Sequence, residues 1–185
     1  MKHLTSSENI KSTAARFVSS KLDDNRIDPY IDECEQINIK SQIGESLFID
    51  LVEYVNAEDK SGYPVEYDTL LNGGTYEAEV CGSNYKRQLN GLVKSLNYYV
   101  WSKIVKNNNY TVTRYATVTK VDDYSKNAEL KERLVLEKDA LTVADKYLME
   151  CIDYLKAKSD KFPLFNISGS KPKFNNRLNI KIIGD

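Results

Sequence analysis

The chain has 185 residues, of which 41% are hydrophobic, and its 26 basic and 27 acidic residues leave a formal net charge of -1. This length suits one domain, and this composition can bury a real core, so global disorder is not expected. The balanced charge offers no broad positive surface to a nucleic-acid backbone or to an anionic membrane.

The chain opens with a polar stretch, residues 1 to 26, that has no apolar core of the kind found in signal peptides. Within it, Thr5-Ser6-Ser7-Glu8 predicts a helix start. No apolar run approaches the ~20 residues that a membrane helix needs. We therefore expect a soluble protein that is made in the cytoplasm.

The first strong helix signal lies at Asp28-Pro29, because Asp28 can cap a helix and Pro29 suits the first helical position. Helical spacing continues to Ser41, and Gly44 ends it. Apolar residues at i, i+1, i+4, i+5 and i+8 then predict an amphipathic helix with one buried face. They are Leu47, Phe48, Leu51, Val52 and Val55.

A loop around residues 56–64 leads to a short predicted helix over 65–71, which Gly73-Gly74 ends. Residues 75–84 predict a small hairpin or a loop. A strong helix follows and ends at Asn107-Asn108-Asn109. Its apolar face comprises Leu89, Leu92, Val93, Leu96, Tyr99, Val100 and Ile104.

Residues 110–121 are rich in β-branched and aromatic types and predict an extended arm. A long helix is predicted next, from about residue 127 to 158, and at 1.5 Å per residue it would span ~45 Å. Its apolar stripe is marked by leucines at sevenfold spacing. These are Leu134, Leu141, Leu148 and Leu155.

After Pro163, which cannot extend that helix, residues 166–176 have the composition of a linker. Beyond it, apolar and polar residues alternate as in a strand. The elements together predict a mainly α fold, a bundle of about four helices over residues 1–165 with the arm 110–125 inserted, followed by a C-terminal arm over 166–185. The predicted core residues are Leu51, Leu92, Leu96, Val100, Leu141 and Leu148.

Residues that could carry chemistry are few. The only histidine, His3, lies in a terminal segment that we expect to be mobile, which removes most histidine-dependent mechanisms. The cysteines Cys34, Cys81 and Cys151 lie far apart without a CxxC pair, so we expect packing thiols and no zinc site. We predict no catalytic residues, no metal and no cofactor, and hence a protein that is not an enzyme.

Paired carboxylates such as Asp23-Asp24 and Glu33 with Glu35 are more typical of helix caps or solvated faces than of a catalytic pair. Tyrosine is frequent, with 13 residues against one Trp and five Phe. Half-buried helix faces and large hydrated interfaces are both rich in tyrosine, because its ring gives a large contact area and its hydroxyl can stay in water. The sequence leaves the two interpretations open.

The two extended pieces, 110–121 and 177–183, are not needed for a helical core. Exposed strands carry unpaired N–H and C=O groups that pair readily with another chain. We therefore predict a protein interface in these pieces; pairing of the C-terminal strand with residues 110–121 of its own chain stays open as an alternative. The predicted interface residues are Tyr110, Val112, Arg114, Tyr115, Val118, Phe174, Leu178, Ile180, Ile182 and Ile183.

An ordered set of short motifs runs through residues 28–165: Pro29–Glu35, Ile39–Leu47, Leu70–Tyr76, Gly91–Trp101, Asp123–Ser125, Tyr154–Lys156 and Phe162–Phe165. In this order they resemble the head–tail connector (adaptor) proteins of tailed bacteriophages, in particular a group from phages and prophages of gut Bacteroidales. Where that group usually has Phe-Gly-Val-Val in the arm, this chain has Arg114-Tyr115-Ala116-Thr117-Val118.

The resemblance implies a helical structural subunit of the virion, repeated around a ring that is commonly twelvefold. The ring docks on the portal protein at the head–tail interface and continues the DNA channel toward the tail. Its implied partners are copies of itself, the portal protein and neighbouring tail or stopper proteins, while DNA passes without specific binding and no membrane is involved. The alternative that stays open is a soluble helical binding or regulatory module that recognises a partner through its C-terminal arm.

Overall fold

The structure is a computed structural model that describes residues 3–13, 16, 18–80, 82–107, 110–112, 117–119 and 129–167. The described part is mainly helical, as predicted. Its elements in chain order are α1 (Ser7–Thr13), α2 (Asp24–Cys34), a π-helical segment (Glu35–Lys40), α3 (Ser41–Ile43), α4 (Glu45–Asn56), α5 (Glu66–Asn72), β1 (Gly74–Val80), β2 (Ser83–Leu89), α6 (Leu92–Asn107), β3 (Tyr110–Val112), β4 (Thr117–Thr119), α7 (Leu130–Ala157) and α8 (Pro163–Ile167).

The centre of the fold is the lengthwise contact between α6 and α7. Small residues of α7, Ala140 and Ala144, let the two helices approach closely, and Ser95 Oγ donates a hydrogen bond to the carbonyl oxygen of Ala144 at 2.8 Å. Of the six predicted core residues, only Leu141 is half-buried rather than buried. The predicted core is therefore largely confirmed, and α7 is the longest described helix, as expected.

The predicted leucine stripe of α7 is wrong in its first half. Leu148 and Leu155 are buried, but Leu134 is 42% exposed and Leu141 is only partly covered. A straight α-helix drifts by about 20° per heptad relative to a sevenfold repeat. Over two heptads this drift moves the leucines off the contact with α6, which uses residues one position earlier, Arg133 and Ala140.

Helix α2 begins earlier than predicted. Its N-cap is Asp23, whose side chain accepts a hydrogen bond from the N–H of Asn25, and Pro29 lies inside the helix. The prediction that Asp28 caps this helix is therefore wrong. The reason is burial: Ile27 is fully buried one turn before Ile31, and this apolar stripe carries the helix through the proline.

The π-helical segment continues α2 without a break and leads directly into α3, and the helical run ends at Gly44 with φ 88°. Its wider turns keep residues spaced four apart on the buried side. Glu35, Ile39 and Ile43 form this row and are all buried. The predicted stop at Gly44 is confirmed.

The region predicted as a small hairpin or loop is an antiparallel hairpin of two seven-residue strands, β1 and β2. Its register runs from Gly74 opposite Leu89 to Val80 opposite Ser83. Leu89 therefore ends a strand, and the prediction that it begins the helical face of α6 is wrong. Gly73 (φ 88°) and Gly91 (φ 91°) close the base of this hairpin. A Cβ on Gly91 would lie 2.6 Å from the backbone nitrogen of Gly73, so the two backbones are in direct contact.

Tyrosines account for much of the interior on one side of the bundle. A continuous row of ring contacts runs from Tyr54 through Tyr67, Phe162 and Tyr154 to Tyr76, with centroid distances between 4.8 and 5.7 Å. All five rings are buried. Packing is thus the role of these tyrosines, and the row joins α4 at one end to the β1–β2 hairpin at the other.

Candidate protein interface

The predicted interface residues fall into two groups. Tyr110, Val112 and Val118 lie in the second hairpin, in which β3 pairs antiparallel with β4 and Thr111 stands opposite Val118. The extended backbone predicted for this arm is confirmed for those two strands. The remaining predicted residues lie outside the described part of the chain: Arg114, Tyr115, Phe174, Leu178, Ile180, Ile182 and Ile183.

Polar contacts fix the end of the bundle from which this arm departs. Arg133 of α7 is buried and its Nη1 donates a hydrogen bond to the carbonyl oxygen of Lys106 at 2.6 Å, in the last turn of α6. Lys106 Nζ in turn lies 2.7 Å from Glu137 Oε1. A cation at the carboxyl end of a helix neutralises its free carbonyl groups, so these contacts hold the start of α7 against the end of α6.

The start of α7 is also capped. Glu129 and Glu132 form a reciprocal capping box, in which the N–H of Glu129 donates to Glu132 Oε2 at 3.0 Å. Such caps satisfy backbone donors that no earlier turn can pair. The first turns of α7 are therefore an ordered platform rather than a fraying end.

This platform carries an apolar surface, which we call the α7 apolar face. It consists of Leu130 (55% exposed), Leu134 (42%), Val135 (63%) and Leu136 (41%). At 100° per residue these side chains leave the helix in several directions around its circumference. A helix turn that is apolar around so much of its circumference is typical of a helix covered by other protein.

The N-terminal segment holds a second polar constellation that the sequence did not predict. Glu35 is 1% exposed; its Oε2 lies 2.7 Å from His3 Nδ1, and its Oε1 accepts a hydrogen bond from the N–H of Leu4 at 2.6 Å. Nearby, Thr5 Oγ1 donates to Asn97 Oδ1 of α6 at 3.1 Å. The expectations of a mobile His3 and a solvated Glu35 are both wrong, since the buried carboxylate ties down the segment that contains His3.

Burial raises the pKa of Glu35, and the hydrogen bonds from His3 and from Leu4 N–H oppose that rise. The folded chain then binds more protons than the unfolded chain between the ordinary pKa of 4.5 and the raised one. Stability therefore falls as the pH rises through this window. We expect Glu35→Gln to remove this part of the pH dependence, as measured by urea unfolding at a series of pH values. A difference between wild type and variant that stays constant with pH would contradict this assignment.

The described thiols are packing groups. Cys34 and Cys151 are buried, and burial raises the pKa of each to about 12, which leaves almost no reactive thiolate. Cys81 lies outside the described residues. Among the residues that the structure describes, no group of three His, Cys, Asp or Glu side chains is arranged to hold a metal ion.

A cavity of about 220 Å³ opens beside α4 and α5. Its polar side chains already contact each other: Asn72 Nδ2 donates to Asp68 Oδ1 at 2.8 Å, and Lys60 Nζ lies 4.6 Å from the ring centre of Tyr54. This internal pairing leaves the α7 apolar face as the better candidate site. None of the helices in the described ranges combines the length and the apolarity needed to cross a membrane.

Fold and site together define a mainly helical protein whose candidate site is an exposed apolar surface beside an extended arm. The chain belongs to the family described as DUF6712, a family of unknown function, whose model matches residues 39–175. Comparisons with curated proteins and with solved structures found no match.

The α7 apolar face was not predicted, because the sevenfold spacing places Leu134 on the apolar stripe of the helix. The density of apolar residues in Leu-Val-Leu, residues 134–136, was the available signal, since one buried face cannot accommodate three consecutive side chains. Buried Glu35 had no such signal, because its partners are 31 and 32 residues away in sequence.

Proposed function

We propose that this chain is a structural subunit of a tailed-phage virion, forming an oligomeric head–tail connector ring that docks on the portal protein and continues the DNA channel toward the tail. The observation that carries the proposal is the α7 apolar face, a rigid surface at the root of the extended arm. The resemblance of the ordered motifs to those of connector proteins suggests the class of assembly.

The α7 apolar face favours subunit contact on energetic grounds. Burying apolar surface gains about 25 cal/mol per Å², so covering four large side chains contributes several kcal/mol per copy before the costs of association. A ring of identical copies needs one surface that meets a different surface on the next copy. The capped start of α7 and the adjoining arm provide one such surface on a fixed scaffold.

The shared motifs lie where they determine the fold. Leu70–Tyr76 spans the junction of α5 with β1, and Gly91–Trp101 supplies both the glycine at the hairpin base and most of the buried face of α6. The motifs on which the resemblance rests therefore determine the fold of the chain rather than a specific contact with a partner. The net charge of -1 also suits a channel through which DNA slides, because a basic lining would retain it.

The test is assembly of the full chain with the portal protein from the same phage or prophage genome, followed by particle imaging and by mass measurement in solution. We expect the wild type to form rings on the portal. The double substitution Leu134→Asp with Val135→Asp should abolish the ring, because it places two charges in the buried contact. Its melting temperature should stay within a few degrees of wild type, since both positions are exposed in the single chain.

Val65→Asp is the matched control. Val65 is 84% exposed and precedes α5, where an aspartate suits the N-cap, so this variant should assemble normally. Normal rings from the double variant would remove the α7 apolar face from the proposal. Failure of the wild type to form any ring, with a small complex formed instead, would favour the helical binding module.

A further inference from the structure

We propose that residues 177–183 of one copy bind as a third strand along the outer edge of β2 in a neighbouring copy. The inference deepens the proposed assembly function, on which it rests for the presence of a neighbour. It names the surface that receives the C-terminal arm. The acceptor is the β1–β2 hairpin. It contacts α7 near Glu150 and Asp153, whereas the α7 apolar face lies at residues 130–136 of the same helix.

Among the residues that the structure describes, the outer edge of β2 has no strand beside it and can accept one. A two-residue connection makes Val80 and Ser83 the closing hydrogen-bonded pair, so the N–H and C=O groups of Asn84, Lys86 and Gln88 point away from β1. Within the described ranges, no backbone group other than those of β1 pairs with β2. A two-stranded sheet is marginal by itself, and a third strand is the usual completion.

One face of the hairpin is only half covered. Tyr76 and Ala78 of β1 are buried, and Tyr76 packs against Tyr154 of α7 at 4.8 Å between ring centres. Tyr85 stands opposite Ala78 on the same face but is 56% exposed. The side chains that cover β1 therefore do not extend over β2, and the ring of Tyr85 is left exposed beside the outer edge of β2.

Helix α7 packs against the face of the hairpin that carries Tyr85 and Arg87. Arg87 Nη1 lies 3.4 Å from Asp153 Oδ2, and the side chain of Asn90 donates to Glu150 Oε2 at 2.9 Å, so α7 runs antiparallel to β2 below it. Exposed Met149 lies one turn before Asp153 on the same side of α7. A strand added to β2 would place its inward side chains over Tyr85 and toward Met149.

The C-terminal sequence has the pattern that such a groove requires. Residues 177–183 read Arg-Leu-Asn-Ile-Lys-Ile-Ile, with Leu178, Ile180 and Ile182 at period two. In a strand these three side chains share one face, and the polar residues between them share the other. The other long segment outside the described residues, 120–128, contains two adjacent aspartates and no such alternation.

A neighbouring copy is the favoured acceptor, because α8 packs against α4, at the end of the aromatic row opposite to the chain's own hairpin. Phe162 stands in the middle of the aromatic row that has α4 at one end and Tyr76 at the other. From Phe162 the chain enters α8, which packs against α4. The linker 168–176 can then extend to about 30 Å, which is long enough to leave the subunit but also to return to its own hairpin, so the source of the strand is determined by mixing two kinds of chain.

Amide exchange in the assembled full-length protein tests the inference. We expect the amides of Asn84, Lys86 and Gln88 to exchange at least about tenfold more slowly in wild type than in full-length Ile180→Asp, which sets a charge against Tyr85. Asn179→Asp is the matched control, one residue away on the outer face of the strand, and it should retain the protection. Both variants should keep the wild-type melting temperature, because neither substitution changes a residue of the described helical bundle.

Mixing identifies the source of the strand. Isotope-labelled Ile180→Asp chains are assembled with an excess of unlabelled wild type, and exchange is read only on the labelled chains. Recovery of protection at Lys86 and its neighbours shows donation by another copy. Protection that is never present in wild type, or that unlabelled wild type never restores, overturns the proposal. Ring formation on the portal is measured separately. Rings in which the amides of β2 are unprotected would contradict only this inference. Strand donation between copies without rings would contradict only the proposed function.

Discussion

Replacing Gly91 with alanine is expected to destabilise the chain by about 3 kcal/mol or more, one of the two large effects that the structure predicts. A Cβ at this position would lie 2.6 Å from the nitrogen of Gly73 and 2.6 Å from the carbonyl oxygen of Leu71. Both neighbours are backbone atoms that cannot rotate away. The positive φ of Gly91, 91°, adds about 1–2 kcal/mol for any L side chain. Urea unfolding of the variant measures the loss.

Two other glycines separate the cost of the positive φ from the cost of the steric contact. A Cβ added to Gly82, at φ 77°, would meet nothing within 4 Å, so Gly82→Ala should lose only the conformational part. Gly62 has open space and no left-handed φ, and Gly62→Ala should change stability by less than about 0.5 kcal/mol. If Gly91→Ala costs no more than Gly82→Ala, the close approach of the two backbones at the hairpin base is wrong.

Local patterns predicted the elements better than their ends. The existence of α4, α6 and α7, the stop at Gly44 and the extended arm all follow from spacing and turn chemistry within a few residues. The start of α2 does not, because a proline usually marks the first turn of a helix, and only the tertiary burial of Ile27 extends this one upstream. Similarly, Leu89 has helical spacing with α6, yet its pairing with Gly74 places it in a strand.

The sequence predicted that the candidate site is a protein interface, but it predicted only one of its two parts, the extended arm. β-branched composition indicated the arm at 110–121, whereas the α7 apolar face depends on the rotation of α7 about its axis. That rotation is set by Ala140 and Ala144 in contact with α6 and by the hydrogen bond from Arg133 to Lys106. A seven-residue spacing cannot show which of two adjacent positions meets the neighbour at the start of a long helix, because a straight α-helix drifts by about 20° per heptad relative to that spacing.

Leucine-to-alanine substitutions test that rotation directly and give the second large effect. Leu96→Ala should cost about 2–5 kcal/mol, because Leu96 is fully buried in α6 and its loss leaves a cavity at the centre of the bundle. Leu134→Ala should cost less than about 1 kcal/mol in the isolated chain, since Leu134 is exposed and alanine favours a helix. Urea unfolding below the concentration at which copies associate measures both.

Leu141→Ala completes the series, because Leu141 is half-buried and lies between the two extremes. We expect its loss of stability to fall between those of Leu134→Ala and Leu96→Ala. The order distinguishes two orientations of α7 that the sequence alone cannot separate. If Leu134→Ala and Leu141→Ala each cost as much as Leu96→Ala, the sevenfold leucines face the core after all. The α7 apolar face would then lose Leu134, and with it the substitution on which the assembly test depends.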